Sequence, residues 1–117
     1  MTVTVDDCVF CRIVSGELPA EVLGRGEQAL AIRDLHPQAP FHALVIPFDH
    51  HENAAASAAA DPSVVGHLVT LAAGVAGEAG HDDYRLIANT GAGAGQTVFH
   101  THLHVLAGTT RMTESLV

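Results

Sequence analysis

The sequence predicts a single α+β domain in which short strands form a sheet and one long helix packs on it. Five stretches rich in β-branched and aliphatic residues are separated by turn residues, which is typical of strands. One longer stretch repeats apolar residues with the period of an amphipathic helix. The chain has 117 residues, 48% of them hydrophobic, and this size suits one domain with a core of its own.

The first half of the chain contains the shorter predicted elements. Residues 1–7 are expected to form a loose arm, and the segment from Cys8 to Gly16 predicts a short helix, because glycine commonly ends helices. Strands whose side chains alternate between two faces are predicted at residues 22–23, 28–34 and 41–47.

The second half contains the long helix and two further strands. The helix begins at Asp61-Pro62, since aspartate is a favoured N-cap and proline fits the first helical position, and it ends at Gly80. Its apolar stripe, which is expected to face the sheet, is Val64, Leu68, Leu71 and Val75. A strand at 84–89 is joined by the glycine-rich segment 91–97 to the last strand, so that these two strands pair antiparallel; a short polar tail, 109–117, follows.

The last strand, predicted at residues 98–106, contains the most informative residues. Because side chains alternate along a strand, His100, His102 and His104 are expected to share one face, with about 6.7 Å between successive residues. An exposed histidine-rich face is the simplest interpretation, and two such histidines would also suit a metal ion. An imidazole can instead act as a nucleophile toward phosphorus. Segment 91–97 favours the nucleophile, because its backbone amides can approach a phosphate.

Charge and cysteine content exclude several classes of function. Five basic and thirteen acidic residues give a formal charge of −8, which repels nucleic acids, although a single nucleotide can still be held by amides and imidazoles. No apolar run approaches the roughly 20 residues of a membrane span, and the first residues do not resemble a signal peptide. The cysteines form a CxxC motif, Cys8 to Cys11, which indicates a metal or redox site in a reducing compartment, so a cytoplasmic protein is expected.

These motifs, in their order and spacing, resemble the histidine triad superfamily, and within it the nucleotide-binding (Hint) branch, over residues 8–108. The segment from His100 to Leu106 matches the His-x-His-x-His-x-x signature. Further matches are Phe10, Ala31-Ile32-Arg33-Asp34, Pro37-Gln38-Ala39-Pro40, His42, Val45-Ile46-Pro47, His50, Asn89 and Gly95-Gln96-Thr97. The resemblance implies a five-stranded antiparallel sheet, one long and one short N-terminal helix, and a homodimer that joins two sheets.

The resemblance also implies a reaction, the cleavage of purine nucleoside phosphoramidates or related adenylates through a nucleotidyl-histidine intermediate. The implied catalytic residues are His102 as the nucleophile with His104, His42, Gln96 and Thr97. The implied nucleotide-binding residues are Phe10, Ile32, Asp34, Leu35, Asn89, Gly95, Gln96, Thr97, His102 and His104. Either His104 or Thr97 would protonate the leaving group, and the sequence does not choose between them.

Two of these residues also have ordinary interpretations. From composition alone, Asp34 is an exposed acid at a turn; the resemblance implies that its carboxylate accepts hydrogen bonds from ribose hydroxyls, which suits a group that only accepts. His42 lies among apolar residues and is either a core histidine or a support for the catalytic ring, and these two interpretations are compatible.

A zinc site is expected as well. Two thiolates and two imidazoles suit tetrahedral zinc, and the resemblance implies the set Cys8, Cys11, His50 and His100. His51 competes with His50, and the family spacing after Pro47 favours His50. A site closed by four protein ligands is structural, since it leaves no position for a substrate.

Three alternatives to a phosphoramidate hydrolase stay open at this point. One is a hydrolase of dinucleoside polyphosphates. Another is a non-enzymatic sensor or adaptor that binds nucleotides in the same pocket. The third is a metal-storage or redox protein built on the CxxC motif and the histidines, which would hold several metal ions per chain and bind no nucleotide.

Overall fold

The computed structural model describes residues 4–108, which form a five-stranded antiparallel sheet with helices and confirm the predicted fold class. The strands are β1 (Val22–Arg25), β2 (Ala29–Arg33), β3 (Phe41–Pro47), β4 (Tyr84–Ile87) and β5 (Leu103–Ala107). Their spatial order is β1-β2-β3-β5-β4, with each neighbouring pair antiparallel. The predicted tail, 109–117, and the first three residues of the predicted arm lie outside the described residues.

Three α-helices accompany the sheet: α1 (Val9–Val14), α2 (Ala54–Ala60) and α3 (Pro62–Glu78). The short N-terminal helix and the long helix with its Asp61 N-cap were predicted, but α2 was not. Alanine has the highest helix propensity, and Asn53 caps α2 by accepting from the Ala56 amide at 2.9 Å. Among residues 4–108, no helix has the length and apolar character needed to cross a membrane.

The long helix α3 packs on one face of the sheet, as its apolar stripe predicted. Val64, Leu68 and Val75 are buried there, while Leu71 is partly buried at the margin. Small side chains on the strands allow a close approach: Ala29, Ala31, Ala43 and Ala107. This face forms the larger apolar core.

The opposite face of the sheet is covered by α1 and carries the candidate functional residues. Phe10 of α1 packs with residues of β2 and β3 in a second apolar cluster: Leu30, Ile32, Leu44 and Ile46. His42 precedes Leu44 by two residues in β3, and His104 is paired with Leu44 across the sheet. Both histidines therefore belong to this second face.

The predicted extent of the last strand was wrong, because β5 begins only at Leu103. His100 and His102 precede the strand, and the amide of Thr101 donates to the His51 carbonyl at 2.9 Å. This bond ties the segment to the loop after β3, so the regular strand spacing does not apply. The rings of His102 and His104 are 5.0 Å apart between centroids.

Candidate functional site

Four potential metal ligands meet between α1 and the loops that flank β3 and β5. We call Cys8, Cys11, His50 and His100 the Cys/His cluster. Their sulfur and nitrogen ligand atoms all lie within 4.8 Å of one another. The fold thus brings together the four residues predicted as metal ligands, with His50 rather than His51 in the fourth position.

The distances in the Cys/His cluster fit a tetrahedral ion. Nδ1 of His100 lies 3.3 Å from Cys8 Sγ and 3.5 Å from Cys11 Sγ, and 3.1 Å separates it from Nδ1 of His50. Tetrahedral zinc, with bonds of about 2.3 Å to sulfur and about 2.05 Å to nitrogen, places sulfur about 3.5 Å from nitrogen and two nitrogens about 3.4 Å apart. The donor set and its size therefore suit such an ion.

The protonation of His100 leaves its Nδ1 available to a metal. Its Nε2–H donates to the Pro47 carbonyl oxygen at 2.9 Å, so in the neutral ring Nδ1 has a free lone pair. Burial lowers the pKa of His100 to about 4, so the ring is neutral at pH 7. Burial also lowers the pKa of His50 and raises the pKa of the Cys11 thiol. A cation would offset the cost of a buried thiolate.

A second group of ionisable side chains lies on the same face of the sheet. We call Asp34, His42 and His104 the Asp/His cluster. Nε2 of His42 is 2.9 Å from Nδ1 of His104 and 3.3 Å from Oδ2 of Asp34. The backbone amide of Gln38 donates to Nδ1 of His42 at 2.9 Å.

The Gln38 amide determines how protons are arranged in the Asp/His cluster. Because Nδ1 of His42 accepts from Gln38, the single proton of the neutral ring is on Nε2, from which it is donated to Nδ1 of His104. His104 must then carry its own proton on Nε2. Burial lowers the pKa of both rings, that of His104 to about 4 with help from His102, while Asp34 opposes the shift. Both rings are therefore neutral at pH 7.

His102 lies between the two clusters. Its Nδ1–H donates to the His100 carbonyl oxygen at 2.8 Å, so its lone pair is on Nε2. Among residues 4–108, no hydrogen-bond partner contacts that Nε2. The Phe10 ring packs edge-on against the His102 ring at 5.0 Å between centroids, and the His104 ring is equally close to the His102 ring. The result is a partly exposed side chain whose neutral tautomer has its lone pair on Nε2.

The glycine-rich loop is held from inside by Gln96. This side chain is 4% exposed; its Oε1 accepts from the Gly91 amide at 2.8 Å, and its Nε2 donates to the carbonyls of Glu52 and Val98. Gly91 and Gly95 have φ values of +89° and +96°, which favour glycine. The Gln96 side chain thus stabilises the loop through these hydrogen bonds. The contact between Gln96 and a phosphate, expected from the sequence, stays a prediction. Gly95 and Thr97 are exposed on the loop.

The structure brings together only some of the residues predicted to hold a nucleoside. Phe10 and Ile32 belong to one apolar cluster beside His102, and Asp34 lies at its edge next to His42. Leu35 is 85% exposed in the loop after β2, and Asn89 is half-buried after β4. A backbone carbonyl that holds Nδ1–H of His102 was expected from the sequence, and the structure identifies it as that of His100; the Gln38 amide and the Pro47 carbonyl were not expected. Residue type does not encode such groups, so the sequence held no signal for them.

Comparisons with known proteins match most of the chain. The family model described as HIT domain matches residues 15–111. An uncharacterized HIT-like protein of Synechocystis sp. is 41% identical over 104 residues, which cover 88% of this chain and 91% of the relative. Protein HitA of Neisseria gonorrhoeae is 33% identical over 103 residues, covering 87% of this chain and 96% of HitA.

Solved structures show the same fold. A HIT family hydrolase from Clostridium thermocellum matches with a TM-score of 0.91 and 38% identity, covering 97% of this chain and all of that one. A histidine triad protein from Clostridium difficile matches with a TM-score of 0.89 and 34% identity, covering 95% of this chain and 98% of the other.

Proposed function

The chain belongs to the HIT domain family, and on that premise we propose that it hydrolyses purine nucleoside phosphoramidates or related adenylates through a nucleotidyl intermediate on His102. The observation that carries the proposal is the hydrogen bond from Nδ1–H of His102 to the His100 carbonyl oxygen. This bond selects the neutral tautomer that has its lone pair on Nε2. An imidazole nitrogen with a free lone pair can act as a nucleophile.

The nucleoside would lie along the second face of the sheet. Phe10 and Ile32 are 6% and 4% exposed in the apolar cluster beside His102, and the base would pack against the edge of this cluster. The Asp34 carboxylate, which accepts from the His36 amide through Oδ1, keeps lone pairs for the ribose hydroxyls. The α-phosphate would then lie near His102 and the exposed end of the glycine-rich loop, where Gly95 and Thr97 provide donors.

The reaction would proceed in two displacements. Nε2 of His102 attacks the α-phosphorus, the P–N bond to the leaving amine breaks, and the amine takes a proton from His104 or Thr97. A water molecule then attacks the same phosphorus and gives a proton back to the residue that protonated the amine, the bond to Nε2 breaks, and AMP is released. If Thr97 protonates the amine, the Nε2–H of His104 would donate to a non-bridging oxygen as charge develops in each transition state, a type of contact that contributes strongly to catalysis.

We further propose that the Cys/His cluster holds a structural zinc ion. The donor types and separations support zinc, and four protein ligands leave no position for a substrate. The ion would neutralise the two thiolates and anchor α1 to the loops that carry His50 and His100. None of the proposed chemical steps passes through it.

We also propose a homodimer in the cytoplasm. Strand β4 lies at an edge of the sheet and could pair with a partner strand, and Val65 and Val69 on α3 are 36% and 42% exposed, so that α3 also offers apolar area to a partner. Free cysteines arranged as CxxC support a reducing compartment. Light scattering coupled to size exclusion tests the assembly, and a monomer at micromolar concentration would contradict it.

The experiment that tests the reaction is AMP release from adenosine phosphoramidate by the wild type, His102→Ala and His67→Ala. His67 is on α3, outside both clusters, so its variant is a matched control. We expect release by the wild type and the control, with loss of at least about a thousandfold in His102→Ala, as for removal of a nucleophile. Mass spectrometry of the acid-quenched enzyme should detect an AMP adduct only where His102 is present.

Other outcomes would favour the alternatives. Cleavage of diadenosine tetraphosphate but not of the phosphoramidate would indicate a dinucleoside polyphosphate hydrolase. AMP binding without turnover of either substrate would indicate a sensor. Turnover retained by His102→Ala would remove His102 from the nucleophile role.

A further inference from the structure

Two buried hydroxyl groups lie beside the site and have no role in the proposed reaction. Ser57 of α2 and Thr101, between His100 and His102, are each 1% exposed, so their hydroxyls need partners inside the protein. Their oxygens are 2.6 Å apart, and the Thr101 hydroxyl donates to the His51 carbonyl at 3.2 Å. Because Thr101 has one hydroxyl proton, Ser57 must donate to Thr101.

These hydrogen bonds join the two backbone segments that carry the histidines of the Cys/His cluster. The His51 carbonyl also accepts from the Thr101 amide at 2.9 Å. His51 directly follows His50, and Thr101 directly follows His100. The separation of 3.1 Å between the Nδ1 atoms of His50 and His100 therefore depends on these two segments staying together.

The same contact determines the orientation of one peptide group. The amide of Thr101 and the carbonyl of His100 belong to a single planar peptide unit. Its N–H donates to His51, and its carbonyl accepts the Nδ1 proton of His102. In a trans peptide the N–H and the C=O lie in this plane and point in opposite directions, so fixing the N–H on the His51 carbonyl directs the His100 carbonyl the other way, toward His102.

We propose that Ser57 and Thr101, together with the His51 carbonyl, form a hydroxyl clamp that positions both the metal-binding histidines and the nucleophile. The clamp rests on the proposed function for its metal and for the role of His102. Both side chains are positioning residues, since their burial keeps them from the substrate. The clamp links α2, a helix that the sequence did not predict, to the centre of the site.

The test measures the affinity of the purified protein for Co²⁺, by competition with a chelator, together with kcat and KM for adenosine phosphoramidate. Thr101→Val keeps the shape of the side chain and removes the hydroxyl, whereas Thr101→Ser keeps the hydroxyl. We expect Thr101→Val to weaken Co²⁺ binding about tenfold, as for loss of an outer partner of a metal ligand, and to lower kcat with little change in KM. Thr101→Ser should be close to the wild type in both its Co²⁺ affinity and its kcat.

Two controls separate positioning from loss of stability. Thr101→Val leaves the buried Ser57 hydroxyl without its acceptor, so the double variant Ser57→Ala/Thr101→Val should be the more stable of the two. The double variant should nevertheless retain the Co²⁺ defect. Val75→Ala makes a cavity under α3 beside Gly24 of β1, a strand that β2 and β3 separate from β5, and should lower stability without a Co²⁺ defect.

The possible results are distinct. A wild-type Co²⁺ affinity in Thr101→Val would overturn the clamp, and so would a Co²⁺ defect of the same size in Val75→Ala. If the wild type binds Co²⁺ but releases no AMP, the proposed reaction fails, and the Co²⁺ affinities of the variants still decide for or against the clamp.

Discussion

The Cys/His cluster and the Asp/His cluster contain similar side chains, but hydrogen bonds to the backbone give them opposite properties. Each has two histidines with nitrogens about as far apart as the ligands of one ion, at 3.1 Å and 2.9 Å. In the first, the Pro47 carbonyl holds the proton of His100 on Nε2, so the nitrogen that faces the cluster is bare. In the second, the Gln38 amide places the proton of His42 on the nitrogen that faces the cluster.

The difference shows that proximity alone does not make a metal site. A cation at Nε2 of His42 would require the proton to move to Nδ1, where it would oppose the N–H of Gln38. In the Asp/His cluster, His42 therefore accepts a hydrogen bond from Gln38 and donates one to His104. We therefore expect one metal ion per chain, held by the Cys/His cluster.

The largest expected effect is loss of the metal. Cys11→Ser removes a buried thiol of the proposed zinc site, and we expect the melting temperature to fall by more than about 10 °C, because a structural zinc site contributes several kcal/mol to folding. Calorimetry and elemental analysis measure the change. The chelator-treated wild type should melt like the variant, and the variant should be insensitive to chelator. Unchanged melting in a variant without zinc would contradict the structural role.

His104→Asn should affect catalysis and leave the metal in place. The variant loses the Nε2–H donor that faces the proposed phosphate site, and we expect kcat to fall about 10²- to 10³-fold, as for removal of one oxyanion donor. Steady-state kinetics and metal content measured on the same preparation test this separation. A loss of zinc in this variant would show that the two clusters are not independent.

Asp34→Asn should weaken nucleotide binding and change little else. Replacing a charged acceptor by an amide should raise the Kd for AMP about tenfold. Titration calorimetry with AMP measures this effect, and Glu21→Gln, an exposed acid bonded to Arg33, is the matched control. An unchanged Kd would return Asp34 to the simpler interpretation of a surface acid.

The smallest effect concerns acid stability. The pKa of His104 is about 4 in the folded protein and 6.5 as the ordinary value, so between these pH values the unfolded chain binds more protons. The free energy of unfolding therefore falls as pH decreases from about 6.5 toward 4 and levels off above that window. Urea unfolding at pH 7 and pH 5 should show that the free energy of unfolding falls less between these pH values in His104→Asn than in the wild type. An equal loss would assign the acid sensitivity to other groups.

The sequence predicted the elements that local patterns determine. The strand at 41–47 agrees with β3 in both of its bounds, and Asp61-Pro62 marks the start of α3. The beginning of β5 was not predictable, because it depends on the amide of Thr101 bonding to His51, fifty residues away. The four residues of the Cys/His cluster were predicted together, whereas the proton positions in both clusters depend on backbone groups that carry no sequence signal.

Helix α1 has a further consequence for how the protein matures. It has six residues, is capped by the Cys8 sulfur at 3.4 Å from the Cys11 amide, and is too short to persist alone. If both cysteines bind the metal, the ion would hold α1 on the sheet, and a chain that has not yet received metal would keep this helix in place only through its apolar contacts. Phe10, which packs against His102, lies on the same helix, so metal delivery would also stabilise one side of the proposed nucleoside site.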